Sequence, residues 1–202
     1  MKAEVKGLPK KYAGYGFTGL VENKENKHFI AMAKDYLAGK ATKKSLVFCG
    51  GVGNGKTRIA VSILRNLKPI ERKEVISSWI TETGREEKSM TYKDSAKSNF
   101  IIADEFFQRC NEATANYQSK MDYINNLLAY DVLCLDDLGV ENISPAKQEN
   151  LYLLINQAYV EERTIFLTTN FYLEELEKID PRITDRLKEM ALILKFEGKS
   201  FR

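Results

Sequence analysis

Apolar residues in this chain fall into short dense runs that take turns with stretches of helical spacing. Buried strands are read in "SLVFC" (45–49), "FIIA" (100–103), "DVLCLDDLG" (131–139), "TIFLTTN" (164–170) and "ALILKF" (191–196). Runs this short, rich in Val, Ile, Leu and Phe and bounded by polar residues, suit strands covered on both faces. Between them, Asn26–Ala38 carries Phe29, Met32, Ala33, Tyr36 and Leu37 at helical intervals, with Gly39 as a stop. Further helices are predicted over Lys56–Leu67, from an Asp104 cap through Phe106, Phe107 and Cys110, over Tyr117–Ala129, and over "YLEELEKI" and "PRITDRLKEM". Another runs to about Glu161, with Ser144 at the cap and Pro145 at the first position. Strands alternating with helices predict a three-layer α/β/α domain, residues 1–202, around a mainly parallel five-stranded sheet.

Two stretches lack a clear period. Residues 1–23, with Pro9 and Gly7, Gly14, Gly16 and Gly19, read as an irregular arm. Residues 68–99 read as an insertion, in which "EVISSWI" fits strand or helix and "TETGREEKSMTYKDSAKSN" is polar and exposed. A solvated loop is the simpler reading there. The alternative is an inserted hairpin that touches DNA through Lys88, Lys93 and Lys97.

The phosphate chemistry is carried by "FCGGVGNGKTRIA", Phe48–Ala60. Glycine costs chain entropy at a strand-to-helix junction, so a cluster of it calls for a reason. Gly50, Gly55, Lys56 and Thr57 meet the pattern G-x-x-x-x-G-K-[ST]. In it the backbone of Gly50, Gly51, Val52, Gly53, Asn54 and Gly55 turns its N–H groups inward, and the following helix, through Arg58, adds its positive N-terminal end. Lys56 then reaches the β- and γ-phosphates, and the Thr57 hydroxyl ligates Mg²⁺. Two more strand ends carry suitable groups, on the edge where parallel sheets bind ligands. Asp136 after "VLCL" is placed to hold Mg²⁺ through water, and Asp137 to accept a proton from the attacking water. Asn170 after "IFLTT" is placed to orient that water. Each aspartate, taken alone, also fits a solvated turn; beside the loop they fit a nucleotide.

Composition narrows the class without naming a partner. The chain has 202 residues, 44% hydrophobic, with a net charge of +3. That describes an ordinary globular domain, only mildly basic. The start "MKAEVKGLPKK" has no apolar signal core, and no apolar run approaches the roughly 20 residues of a membrane span. Cys49, Cys110 and Cys134 form no C-x-x-C pair, which suits a reducing cytoplasm. His28 is the single histidine, so a histidine-rich metal site is excluded.

A strand, "FIIA", lies between the loop helix and "DVLCLDD". Water-activating ATPases of the AAA+ and RecA type insert a strand there, whereas nucleoside kinases generally do not and need a late arginine-bearing lid. "GGVGNGKT", "LLAYDVLCLDDLG", "TIFLTTN", "RITDRL" and "FEGKSFR" together resemble the AAA+ domain of the bacterial helicase loaders DnaC and DnaI and of the related IstB transposition ATPases, over residues 8–202. The resemblance implies ATP and Mg²⁺ as cofactors, slow hydrolysis with Asp rather than Glu at position 137, and no C-terminal lid. It also implies single-stranded DNA binding, assembly into a ring or spiral, and a DnaB-type helicase or a transposase as partner. Asn170 becomes the sensor asparagine, and Arg186 the finger that reaches a neighbour's ATP, with Arg182 one turn earlier. Tyr12, in the aromatic arm "KKYAGYGFTGL", is implied to lie near the adenine. A helix face pairing Arg186 with Asp185 or Glu189 is the plain alternative to a finger. Loaders carry a separate helicase-gripping N-terminal domain, which leaves helicase contact open here. The competing classes are an IstB-like transposition helper and a non-hydrolysing ATP-switched binding module, with a small-molecule kinase last.

Overall fold

The computed structural model describes residues 3–18, 20, 22, 26–80, 84–113, 117–139 and 143–197, with the backbone alone at 73–80, 84–89, 93, 117 and 118. Its principal sheet has six parallel strands in the order β1-β5-β6-β7-β2-β8. These are β1 (Glu4–Lys6), β2 (Ser45–Gly50), β5 (Lys97–Ile102), β6 (Val132–Leu138), β7 (Ile165–Thr169) and β8 (Ala191–Phe196). The helices are α1 (Lys27–Leu37), α2 (Lys56–Arg65), α3 (Ala103–Glu112), α4 (Tyr117–Leu128), α5 (Pro145–Val160), α6 (Leu173–Ile179) and α7 (Pro181–Met190).

Five of the strands are those read from the apolar runs. The sixth, β1, comes from the arm: Glu4, Val5 and Lys6 pair with Lys97, Ser98 and Asn99. Three residues of ordinary polarity carry no period of their own, so only the open edge of β5 makes them a strand. The arm continues into a 3₁₀ turn at Lys10–Tyr12 and lies along α2, where Arg65 donates to the carbonyls of Ala13 and Tyr15.

Successive strand residues face opposite layers, as the pleat requires. Val47, Cys49, Leu133, Leu135, Ile165 and Leu167 face α3–α7. Leu46, Phe48, Cys134, Phe166, Leu194 and Phe196 face α1, α2 and the arm. This is the expected three-layer arrangement. The ring of Phe29 on α1 stacks on Phe196 at 3.6 Å. Cys49, Cys110 and Cys134 are free thiols in the core. Asp104 does not cap α3; β5 runs straight into the helix, Ile102 is the cap, and Asp104 sits in the first turn. Ser144 does cap α5, accepting the Lys147 N–H at 3.3 Å. Among the described residues no helical lid follows β8, and no helix is long and apolar enough to cross a membrane.

The 68–99 stretch is mainly a hairpin, not a loop. β3 (Ile70–Ile80) and β4 (Gly84–Asp94) pair antiparallel over their whole length as a separate two-stranded sheet. Its base is clasped to the body by Arg72, whose guanidinium reaches Asp131 at 2.8 Å and, across the hairpin itself, Asp94 at 3.5 Å. Lys97 reaches Asp94 at 3.6 Å. The Lys88 and Lys93 side chains and residues 198–202 of the quoted ending lie outside the described residues.

The hairpin pairs with itself rather than with the six-stranded sheet, and the ion pairs at its base are partly exposed, each worth little. Replacing residues 71–93 with Asn-Gly should therefore leave the melting temperature within about 3 °C of the parent and unfolding cooperative. Loss of a single cooperative transition would show that the hairpin is part of the core.

Candidate active site

The loops after β6, β7 and β2 lie side by side because those strands are consecutive neighbours in the sheet. Every group singled out at a strand end is thereby brought to one edge. β2 ends at Gly50, whose φ of +120° no L side chain adopts comfortably. A Cβ there would also drive into the carbonyl of Phe196 at the end of β8. The same carbonyl accepts a hydrogen bond from Asn54 Nδ2 at 3.1 Å, so β8 forms the back wall of the loop. Val52 stands out at the tip, 61% exposed. Gly53 and Gly55 also take positive φ, 81° and 85°, and Gly55 serves as the N-cap of α2. No side chain caps that helix, and no acidic residue occupies its first turn. Its leading N–H groups are thus left to an anion.

Lys56 is 7% exposed, and its ammonium donates to the carbonyls of Gly50 and Gly51, both at 2.6 Å. Burial lowers its pKa from the ordinary lysine value, and the carboxylates of Asp137 and Asp136 oppose that shift. Arg58, one turn into α2, lies 5.5 Å from the Tyr15 ring. Tyr12 sits among Tyr15 at 4.9 Å, Phe100 at 5.8 Å edge-on, and the Lys11 ammonium at 4.6 Å. Of the two arm rings, Tyr15 is the one against the loop helix's cation.

At the end of β6 the register with β7 slips. Leu135 pairs with Leu167 and Leu138 with Thr169, so Asp136 and Asp137 stand opposite Thr168 alone. This is a β-bulge, unusual between parallel strands. Asp137 accordingly takes φ +59°, a left-handed conformation that Asp tolerates better than most residues. Asp136 is 1% exposed; its Oδ1 accepts from Thr57 Oγ1 at 2.8 Å and Thr168 Oγ1 at 2.7 Å. Burial pushes its carboxyl above the usual carboxylate range, and the Thr168 and Thr57 hydroxyls pull it back down. The Asp137 N–H donates to Thr168 Oγ1 at 2.8 Å. Asn170 Nδ2 reaches Asp137 Oδ1 at 3.4 Å. Thr168 was not singled out in the sequence: it reads as one more β-branched residue of a buried strand, and only the slipped register gives its hydroxyl two partners.

Arg186 does not join this cluster. Its guanidinium lies on α5, donating to Asn156 Oδ1 at 3.0 Å and to the Tyr152 hydroxyl at 3.4 Å. It lies 5.1 Å from the Tyr152 ring and 5.8 Å from that of Tyr159. Neither Asp185 nor Glu189 takes it up; Glu189 faces Tyr159 and raises its pKa. Arg182 is paired with Asp180 at 2.7 Å.

The donor set suits a nucleotide with a hard cation. Thr57 Oγ1 and Asp136 Oδ1 are adjacent oxygens of the kind Mg²⁺ takes. Among the described residues no group of three or more His, Cys, Asp or Glu could hold a metal alone, so phosphate oxygens and water would complete its shell.

The family model of the IstB-like ATP binding protein matches residues 89–202, which hold the paired aspartates, Asn170 and Arg186. The chain belongs to the IstB-like ATP-binding family. Its phosphate loop lies upstream of the matched segment and supplies the remaining half of the site. Among solved structures, the DnaC helicase loader matches with a TM-score of 0.69 at 18% identity, over 94% of this chain and 100% of that one. DnaI matches at 0.64 and 17%, over 99% and 97%. The replication initiator DnaA bound to AMPPCP and single-stranded DNA matches at 0.65 and 17%, over 96% of this chain and 52% of that one. At these identities the likeness is one of fold. This member of the family thus has the mainly parallel P-loop architecture of AAA+ proteins, as its motifs predict.

Because burial raises the Asp136 pKa above its unfolded value, the charge costs stability above that pKa, and the cost vanishes as pH falls through it. Asp136→Asn should therefore raise the melting temperature of the nucleotide-free protein by about 2–4 °C at neutral pH, a gain that fades toward acid pH. The same variant should lose its response to ATP with Mg²⁺. A lower melting temperature at neutral pH would show that Asp136 is held by more than the two threonines.

Proposed function

We propose that the protein is an AAA+ ATPase that acts in DNA replication as a helicase loader, binds single-stranded DNA, and works as an oligomer. The observation that carries the ATPase reading is the convergence of Lys56, Thr57, Asp136, Asp137 and Asn170 on three adjacent strand ends. In this reading Lys56 exchanges the Gly50 and Gly51 carbonyls for the β- and γ-phosphates. Asp136 and Thr57 hold Mg²⁺, which when bound neutralises phosphate charge. Asp137, oriented by Asn170, accepts the proton of the attacking water. An aspartate reaches less far than a glutamate, so turnover is slow. Tyr12 and Tyr15 border the adenine.

The loader role is supported by the near-complete coverage of both DnaC and DnaI. Single-stranded DNA as ligand is supported by the likeness to the DnaA complex. The family match favours a second reading, a helper ATPase of transposition. A pull-down separates them, retaining a replicative helicase in one case and a transposase in the other.

Arg186 acts as a finger in this proposal by leaving its seat on Tyr152 and Asn156 for the γ-phosphate of a neighbouring subunit. Lys56→Ala should abolish turnover with the fold intact. Arg186→Ala should lower turnover by about 10²-fold or more with ATP affinity nearly unchanged. A mixture of the two variants should regain part of the activity, since a mixed interface joins one intact loop to one intact finger. Normal turnover by Arg186→Ala at high protein concentration would leave the arginine a packing residue on α5.

Binding to a single-stranded oligonucleotide should tighten with ATP and weaken about tenfold or more when salt rises from about 50 to about 200 mM. No binding at low salt, with or without ATP, would count against both DNA roles.

A further inference from the structure

We infer that Thr168 is the positioning residue of the site, a single hydroxyl that sets the metal-side carboxylate and the water-side carboxylate relative to each other. The inference rests on the ATPase reading above and deepens it. At the bulge two residues of β6 face one residue of β7, so the ladder hydrogen bonds of a regular parallel pair cannot all form there. Thr168 stands at that point, 1% exposed. A threonine hydroxyl has one proton to give and lone pairs to receive. Here the proton goes to Asp136 Oδ1 at 2.7 Å, and a lone pair takes the Asp137 N–H at 2.8 Å.

The two bonds act on different things. The first fixes the rotamer of Asp136, whose same oxygen meets Thr57 Oγ1 at 2.8 Å. The second holds the Asp137 backbone at φ +59°, the conformation that directs its side chain to Asn170. With the hydroxyl removed, Asp137 is free to relax toward negative φ and Asp136 loses one of two donors while still buried. The next residue ties the end of β6 to the loop after β7. Thr169 Oγ1 donates to the Leu138 carbonyl at 2.8 Å and accepts the Phe171 N–H at 3.2 Å. That contact anchors the far side of the bulge, while of these two threonines Thr168 is the one bonded to both aspartates.

Thr168→Val keeps the branched shape in a buried strand and exchanges the hydroxyl for a methyl, whereas Thr168→Ser keeps the hydroxyl and deletes the methyl. The valine variant should lose about 10- to 100-fold in kcat with KM for ATP changed by less than about threefold, and serine should restore most of the rate. Two readouts do not depend on turnover. Hydrogen exchange of the Asp137 amide in the nucleotide-free protein should speed up about tenfold or more with valine and stay near the parent rate with serine. Mn²⁺ affinity of the complex with a non-hydrolysable ATP analogue, read by electron paramagnetic resonance, should fall about tenfold with valine only. Valine at the parent kcat, or serine as damaged as valine in all three measurements, overturns the inference. If the parent protein binds Mn²⁺ and nucleotide but never hydrolyses ATP, the ATPase reading falls. Amide exchange and Mn²⁺ affinity then decide Thr168: unchanged values in the valine variant overturn its role, and shifted values rescued by serine uphold it.

Discussion

A buried carboxylate charge governs this molecule. Asp136 is shut away from water at the end of a parallel strand, and two neutral hydroxyls do not offset a full charge in such a place. A few residues off, the Lys56 ammonium is also buried and spends its protons on the bare carbonyls of its own loop. Each ion is answered, but by groups of the wrong strength. Both deficits lie at one edge of the sheet, where the proposed nucleotide and its cation would meet them together. The glycines, threonines and strands around them keep both charges buried at the strand ends.

The peripheral parts are free of that demand. The hairpin of β3 and β4 adds no strand to the principal sheet, and the ion pairs Arg72–Asp131 and Asp94–Lys97 clasp its base to the body. Such a unit can differ in length or sequence without moving Asp136. α7 is tied in more firmly, with Ile183 and Leu187 in the core and Arg186 resting on α5. Its arginines are therefore held in place on the fold, Arg186 on α5 and Arg182 on Asp180.

Reading the sequence forward reached the central strands and the phosphate loop because both rest on local rules. A continuous apolar run needs cover on two faces, and glycines followed by Lys and Thr have few other uses. Ser144 and Pro145 marked their helix correctly for the same reason, since a cap is decided within four residues. What stayed hidden was whatever depends on a distant partner. Glu4–Lys6 is a strand only because the edge of β5 is open to it. The second arm of the hairpin, "GREEKSMTYKD", is polar enough to pass for loop and is held by cross-strand pairing. Asp104 looked like a cap because nothing local says that β5 enters α3 without a break. Thr168 gains its role from a register slip that no one-dimensional pattern records.

The place of β8 in chain order bears on how the protein is made. Among the described strands of the sheet this one is made last, yet its final carbonyl, on Phe196, is what Gly50 lies against and Asn54 bonds. A nascent chain that has emerged only as far as α7 already holds the phosphate loop, both aspartates and Asn170, but β2 is then an edge strand and the loop has no back wall. A nucleotide bound as proposed would meet a walled loop once β8 has joined the sheet. Until then the edge of β2, with Leu46, Val47, Phe48 and Cys49 along it, is open to pairing with another strand.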